Sequence, residues 1–380
     1  VADGLSESLE SLYRNVLQAL NAELLVDRFL SDHPDLFPKT GPLVIAGAGK
    51  AAEAMAAGAV RHFGPPLRSL LITKQRSGVV LTLTTLEAGH PVPDERSLAA
   101  GQSMLDFANA CGSGDQVLFL LSGGASSLME VLVPRIGLGD LRFATERMLR
   151  AGLDIDQLNT VRRHLSKIKS GGLSRAFGSA HVVILVLSDV AGNNLATIGS
   201  GPFVGAAEST IQAAYELARL AELPKVVLEA MLPIEGCPER RHEIVGDVNT
   251  VRQAITDEAC RLGLPVNIVG TMTGEAREFG LWVAESVLQS PPNQVLAWLG
   301  ETTVTVRGQG RGGRAQELAL SAARVLAGQS AAVLAGSTDG SDGPTDVAAA
   351  KVDGRTVQKL RLAGLNIDVV LSENDSMTAL

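Results

Sequence analysis

Lys50 stands in "GAGKAA", residues 47–52, directly after a short apolar run and before an alanine-rich stretch. Gly47 and Gly49, with an ammonium beside a helix start, offer backbone N–H groups and a positive charge to a phosphate or a carboxylate. "LLSGGASSL" is a second such place, with Gly123 and Gly124 among the hydroxyls of Ser122, Ser126 and Ser127. Phosphate cradling competes there with a tight packing turn capped by serines. Farther on, "GETTVTVRGQGRGGRAQE", 300–317, sets Arg307, Arg311 and Arg314 among five glycines. Planar guanidinium forks on so permissive a backbone suit a carboxylate or phosphoryl clamp, and Glu301 at its start is a candidate substrate or metal ligand. Asp189 in "LVLSDVAGN", and Asp339, Asp342 and Asp346 in "STDGSDGPTD", are oxygen donors that could hold Mg2+ or accept a hydroxyl proton. Helix caps and Asx-turns are their competing use.

Several familiar sites are excluded or weakened by spacing. Val44 and Ala51 stand where a Walker A loop needs glycine and a hydroxyl residue, and the serine loop lacks the G-x-S-x-G order of a nucleophile elbow. "GAGKAA" does fit the loose dinucleotide pattern G-x-G-x-x-A, but the next strand ends in "ITKQRSG", with Lys74 and Arg76 where an acid would hold a ribose. That disfavours NAD and leaves NADP. The six histidines show no paired spacing and none is assigned to metal, while the basic run "VRRHLSKIKSGG", 161–172, reads as a solvated helix face.

These loops need rigid supports, and the pattern between them supplies candidates. "PLVIAGA", "LRSLLIT", "QVLFLLS" and "HVVILVLSD" are short apolar runs separated by helical periodicities, which predicts a parallel sheet with ligand loops at its carboxyl edge. The opening residues place Leu9, Leu12, Val16, Leu20 and Leu24 at helical spacing. The proline- and charge-rich "LPIEGCPERRHE", 232–243, reads as a crossover between domains. Beyond it the pattern predicts helices over "DVNTVRQAITDEACRLG" and "RAQELALSAARVLAG", strands at "PVNIVG" and "VLAWLG", and a half-exposed strand at "TTVTVRG".

At 380 residues and 46% hydrophobic composition, the chain suits two α/β domains. A net charge of −8 without a long basic run argues against a nucleic-acid partner. "VVILVL", 182–187, is far short of a membrane span, and three cysteines without a CxxC suggest neither a disulfide framework nor zinc. A soluble cytoplasmic protein is the expectation, with ends extending beyond Val1 and Leu380.

Taken in order, "AGAGKAA", "EAGHPVPDE", "LLSGGASSL", "NTVRRHLSKIKSGGL", "LSDVAGNNLATIGSGP", "GETTVTVRGQGRGGRAQELAL" and "AGSTDGSDGPTD" resemble the class II glycerate kinases, or MOFRL proteins. Some members of that family are labelled hydroxypyruvate reductase. The resemblance spans about residues 8–380. It implies a Rossmann-like N-terminal parallel-sheet domain, 1–238, a smaller C-terminal MOFRL α/β domain, 239–380, and an active site in the cleft between them. It further implies ATP- and Mg2+-dependent phosphorylation of D-glycerate to 2-phosphoglycerate, and a homodimer is compatible with it. The family's catalytic lysine falls on Lys50 and its catalytic arginine on Arg311 or Arg314; Asp189, or an aspartate of 339–346, would hold Mg2+ or orient the substrate hydroxyl. Departures are Asn193 and Asn194 for two aspartates, Phe203 for threonine and Ala315 for asparagine. The alternatives are an NADPH-dependent hydroxypyruvate reductase and a non-catalytic sugar-acid or nucleotide-binding protein.

Overall fold

The computed structural model describes residues 2–37, 41–80, 82–205 and 210–380. Its packing divides into two units, residues 21–247 and residues 1–20 together with 248–380.

The first unit is built on six parallel strands, β1 (Leu43–Ala48), β2 (Arg68–Thr73), β3 (Thr85–Glu87), β4 (Gln116–Ser122), β5 (His181–Leu187) and β6 (Arg241–Gly246), in the order β3-β2-β1-β4-β5-β6. Successive residues of a strand face opposite sides. Val44, Ala46, Phe119 and Ile184 accordingly enter one core, and Ile45, Leu118, Leu120 and Leu185 the other. Because helices cover both sides, the central strands are continuously apolar, and each fully buried side chain of this size contributes about 1.5–3 kcal/mol. Phe203, one of the departures, fills space in the first core by packing on Phe119 and Phe177.

The expected boundary at 238/239 is not where the packing divides. β6 begins with Arg241, His242 and Glu243, an edge strand without the apolar run that marked its neighbours, yet it pairs with β5 and belongs to the first sheet. The preceding loop belongs there too, since Arg240 donates to the carbonyls of Ser174, Gly178 and Ala180.

The second unit is α/β as well. β7 (Val266–Met272) pairs in parallel with β8 (Val295–Gly300), and β9 (Ala332–Gly336) pairs antiparallel with β10 (Ala349–Asp353). Helices Ala276–Gln289 and Arg314–Leu326 pack through Ala276, Val283, Ala284, Leu318, Ala319 and Ala322. The strand expected at "TTVTVRG" is absent: Thr303 makes a single bridge to Glu275, and the segment is otherwise a docked loop. The first helix, Ala2–Ala19, is amphipathic as expected but joins this unit, burying Leu12 and Val16 with Ala254 and Ala259.

Candidate functional site

In the first unit the parallel strands deliver their loops at one sheet edge. Gly47 is buried within β1, and the turn after it closes on both neighbouring strands. Gly49 donates its amide to the Ile72 carbonyl, Lys50 to the Gly123 carbonyl at 2.9 Å, and Ala51 to the Ser122 hydroxyl at 3.1 Å. Gly49, at φ +137°, is so close to Ser122 that no β-carbon fits. These three amides therefore have protein partners, which corrects the expectation that they cradle an anion. The first turn of the following helix also carries the buried Glu53 carboxylate, which accepts from the Ser77 amide and hydroxyl. What the turn presents outward is the exposed Lys50 side chain.

Ser122 and Ser127 serve the fold: Ser122 accepts from Ala51, and the Ser127 hydroxyl donates to the Gly124 carbonyl at 3.1 Å. Ser126 differs, its hydroxyl paired with that of Ser200 at 2.7 Å. The two glycines between are approached from both sides. The exposed Asp189, just beyond β5, lies directly against Gly123. Gly124, at φ +88°, faces the His90 ring: a β-carbon there would lie 3.0 Å from Cδ2, 3.2 Å from Nε2 and 3.4 Å from Lys50 Cγ. Lys50, Asp189 and Ser126 are thus brought together about one glycine turn, joined by His90, which no paired spacing with another histidine marks in the sequence. The signal for it was present, a histidine between glycine and proline directly after a strand.

Asn193 donates to the Asp247 carboxylate at 2.7 Å, so an amide stands where an aspartate would face another carboxylate. The basic run 161–172 is not a solvated face. Val161, His164, Leu165, Ile168, Lys169 and Ser170 are buried, and Lys169 forms an ion pair with Glu130 in which both side chains are 1% exposed. Burial pushes the Lys169 ammonium below the ordinary lysine range, and does the same to the Arg162 and Arg163 guanidiniums. Glu130 is completed by the Ser166 hydroxyl and the Val131 amide. The same run braces the loop after β5: Arg163 donates to the Ala196 carbonyl, and the amides of Ser170 and Gly171 donate to the Ser200 and Gly201 carbonyls.

In the second unit the arginine loop is stitched to residues 373–377. The Asn374 side chain accepts from the amides of Arg307 and Gly308 and donates to the buried Glu317, while the Arg311 amide donates to Asp375. Gly308, Gly310 and Gly312 lie against Glu373, Asp375 and Ser376 without room for a side chain. Their role is close docking of one backbone on another, and the alternation of glycine with longer residues was its trace in the sequence. Arg307, Arg311 and Arg314 are all exposed. The Arg314 guanidinium pairs with Glu301, whereas that of Arg311 donates to the neutral Pro344 carbonyl at 3.2 Å.

The aspartate-rich loop has a structural use. Asp342 is 1% exposed and accepts from the Ala315 and Gln316 amides at 3.0 and 2.9 Å, capping the helix that follows the arginines. Both oxygens are engaged in that cap. Asp339 closes a local turn with the Ser337 hydroxyl, and Asp346 is exposed. Tyr13 donates to the Ser337 carbonyl, and its phenol is pushed up by burial, with the charges of Asp339 and Asp342 adding to the effect. Among the described residues no cluster of three or more His, Cys, Asp or Glu side chains could hold a metal by itself, and no helix is long and apolar enough to cross a membrane.

A six-stranded parallel sheet with a lysine, a carboxylate and hydroxyls at its carboxyl edge defines an α/β enzyme of the kind that binds ligands at the strand ends. Residues 8–232 match the domain of unknown function DUF4147 and residues 294–380 the MOFRL family. The chain is 36% identical to the glycerate 2-kinase of Pyrococcus horikoshii, over 97% of this chain and 88% of that protein. It is 35% identical to the D-glycerate 2-kinase of Thermotoga maritima, over 98% and 93%. The crystal structure of the Thermotoga maritima glycerate kinase superposes with a TM-score of 0.86 at 33% identity, covering 100% of this chain and 94% of that one. A relative from Agrobacterium vitis, 36% identical over 89% of this chain and 82% of its own length, carries a hydroxypyruvate reductase name. The chain belongs to the glycerate kinase family, and it is a kinase.

Proposed function

We propose that this enzyme transfers the γ-phosphoryl group of ATP to the 2-hydroxyl of D-glycerate, giving ADP and 2-phosphoglycerate. The observation that carries the reading is the meeting of Lys50 and Asp189 at the Gly123–Gly124 turn, in a chain of this family. Phosphoryl transfer asks little covalent chemistry of a protein; it needs positive charge near the equatorial oxygens and accurate positioning. Lys50 supplies charge in the first unit. Arg311 is the candidate in the second, because its guanidinium donates to the neutral Pro344 carbonyl whereas that of Arg314 is paired at the surface with Glu301.

Mg2+ commonly keeps several waters and takes one or two protein carboxylates beside the nucleotide phosphates. The exposed Asp189 fits that need, and the buried, doubly engaged Asp342 does not. When bound, the ion neutralises charge on the transferring phosphoryl group.

The reductase reading is weaker on physical grounds. A dinucleotide pyrophosphate requires the amides of the "GAGKA" turn, of which those of Gly49, Lys50 and Ala51 are bonded to Ile72, Gly123 and Ser122, and Arg76 is tied to the Thr85 carbonyl and, through its amide, to Glu87.

A coupled ADP-release assay with ATP, Mg2+ and D-glycerate, beside NADPH oxidation with hydroxypyruvate, tests the proposal. We expect D-glycerate-dependent ADP, with Lys50→Ala lowering kcat by about 10²–10³-fold, the usual effect of removing one electrostatic stabiliser. Product analysis then distinguishes the 2- from the 3-phosphate. NADPH oxidation without ADP release would reverse the assignment.

A further inference from the structure

His90 is carried by a loop that the fold holds firmly at the same sheet edge as Lys50. It follows β3 by two residues, and the next turn is locked: the Ser97 hydroxyl bridges the Gly89 and Asp94 backbones, and Asp94 caps helix Glu95–Asn109 by accepting from the Arg96 and Ser97 amides. Half-buried on this support, the imidazole turns its Cδ2–Nε2 edge toward Gly124. Glycine at 124 is what lets the ring approach, since a β-carbon would lie 3.0 Å from Cδ2. The other five histidines lie elsewhere: His33, His164 and His242 bond backbone carbonyls, His62 faces Asp27, and His181 opens β5 at its amino end. His90 is the histidine at the carboxyl edge, beside the lysine and one residue along the turn from the carboxylate.

Resting on the kinase reading above, we propose that His90 is a catalytic residue, the general base that accepts the proton of the acceptor hydroxyl at Nε2. In this step the neutral, Nδ1-protonated imidazole removes the hydroxyl hydrogen as the oxygen bonds the γ-phosphorus of ATP. The bond from that phosphorus to the β–γ bridging oxygen breaks, and its electron pair leaves with ADP. The imidazolium then returns its proton to water. Division of labour follows from charge: Lys50 meets the phosphoryl oxygens, Asp189 is the carboxylate for the cation, and a neutral base remains to be supplied. Charged groups at this edge include Lys50, which shares the Gly124 side with the imidazole, Asp189 on the Gly123 side, and Asp94, four residues along the chain and paired with Arg96.

The test is a pH–rate profile of ADP release by the full chain and by His90→Gln and His90→Asn, with folding checked by near-ultraviolet circular dichroism and thermal unfolding. General-base catalysis contributes about 10²–10⁴-fold. We expect kcat to fall by that factor in both variants, KM for ATP to stay within about threefold, and the acid limb of the wild-type profile to disappear, losses that a purely structural role would not combine. A folded variant that keeps kcat within about threefold of wild type, or that keeps the acid limb in its residual activity, overturns the role of His90 and leaves the kinase reading standing. No ADP from the wild-type enzyme overturns the kinase reading itself, and this proposal with it. Asp189→Asn separates the two groups: it should raise the Mg2+ requirement and retain the acid limb, and loss of the limb in that variant would move the base to Asp189.

Discussion

Asp342 accepts two amide hydrogens at the first turn of the helix Arg314–Leu326, where Gly313, as the capping residue, has no side chain to offer. Removing a helix cap costs about 0.5–2 kcal/mol, and here the amides are buried, so the upper end applies. Asp342→Ala should therefore lower the denaturation midpoint by the equivalent of about 2 kcal/mol, with Asp342→Asn losing less because one oxygen acceptor remains. Under conditions where the variant is fully folded, its Mg2+ dependence should match the wild type. A raised Mg2+ requirement without a stability loss would return the residue to the metal site. Residue type alone left this open, because an aspartate among glycines and hydroxyls reads equally as a ligand or a cap. The deciding fact is a contact between positions 342 and 315–316, which no local pattern carries.

The glycine-rich arginine loop and the tail segment 373–377 act as one element, two backbones laid against each other and tied through Asn374 and Asp375. Substitutions there should be graded by what the new methyl meets. At Gly308 it meets the Glu373 backbone, which cannot swing aside, whereas at Gly312 it first meets the Ser376 hydroxyl, the end of a movable side chain. Overpacking typically costs about 1–3 kcal/mol, and Gly308→Ala should stand at the top of that range with Gly312→Ala below it. Equal thermal shifts for the two variants would contradict the docking picture. The central strands of the first sheet were legible because burial on both faces demands unbroken apolar runs. "TTVTVRG" misled because a loop docked on Glu275, Gly274 and Asn374 can alternate in burial as an edge strand does. β6 escaped notice for the opposite reason, as an edge strand that needs little apolar sequence.

The chain begins in one unit, builds the whole of the other, and returns. Helical periodicity in the first residues announced an amphipathic helix but not its partner, since hydrophobic burial is non-directional and any apolar face of suitable shape will serve. The partner lies more than two hundred residues away: Leu12 and Val16 pack with Ala254 and Ala259, the Tyr13 hydroxyl bonds the Ser337 carbonyl, and Glu10 pairs with Lys351. Ion pairs as exposed as Glu10 with Lys351 add little, so the apolar contacts dominate, at about 1.5–3 kcal/mol for each large side chain fully buried. A chain lacking residues 1–20 should consequently destabilise the unit of residues 248–380 selectively. Its thermal unfolding should begin earlier, with the tryptophan signal of Trp282 and Trp298, both in that unit, changing before the far-ultraviolet signal of the whole chain. Non-coincidence of the two probes marks loss of two-state behaviour. Leu12→Ala should reproduce the effect in part, at about 2–5 kcal/mol, without altering chain length. Simultaneous loss of both signals at an unchanged midpoint would show that the first helix contributes nothing to the unit it covers.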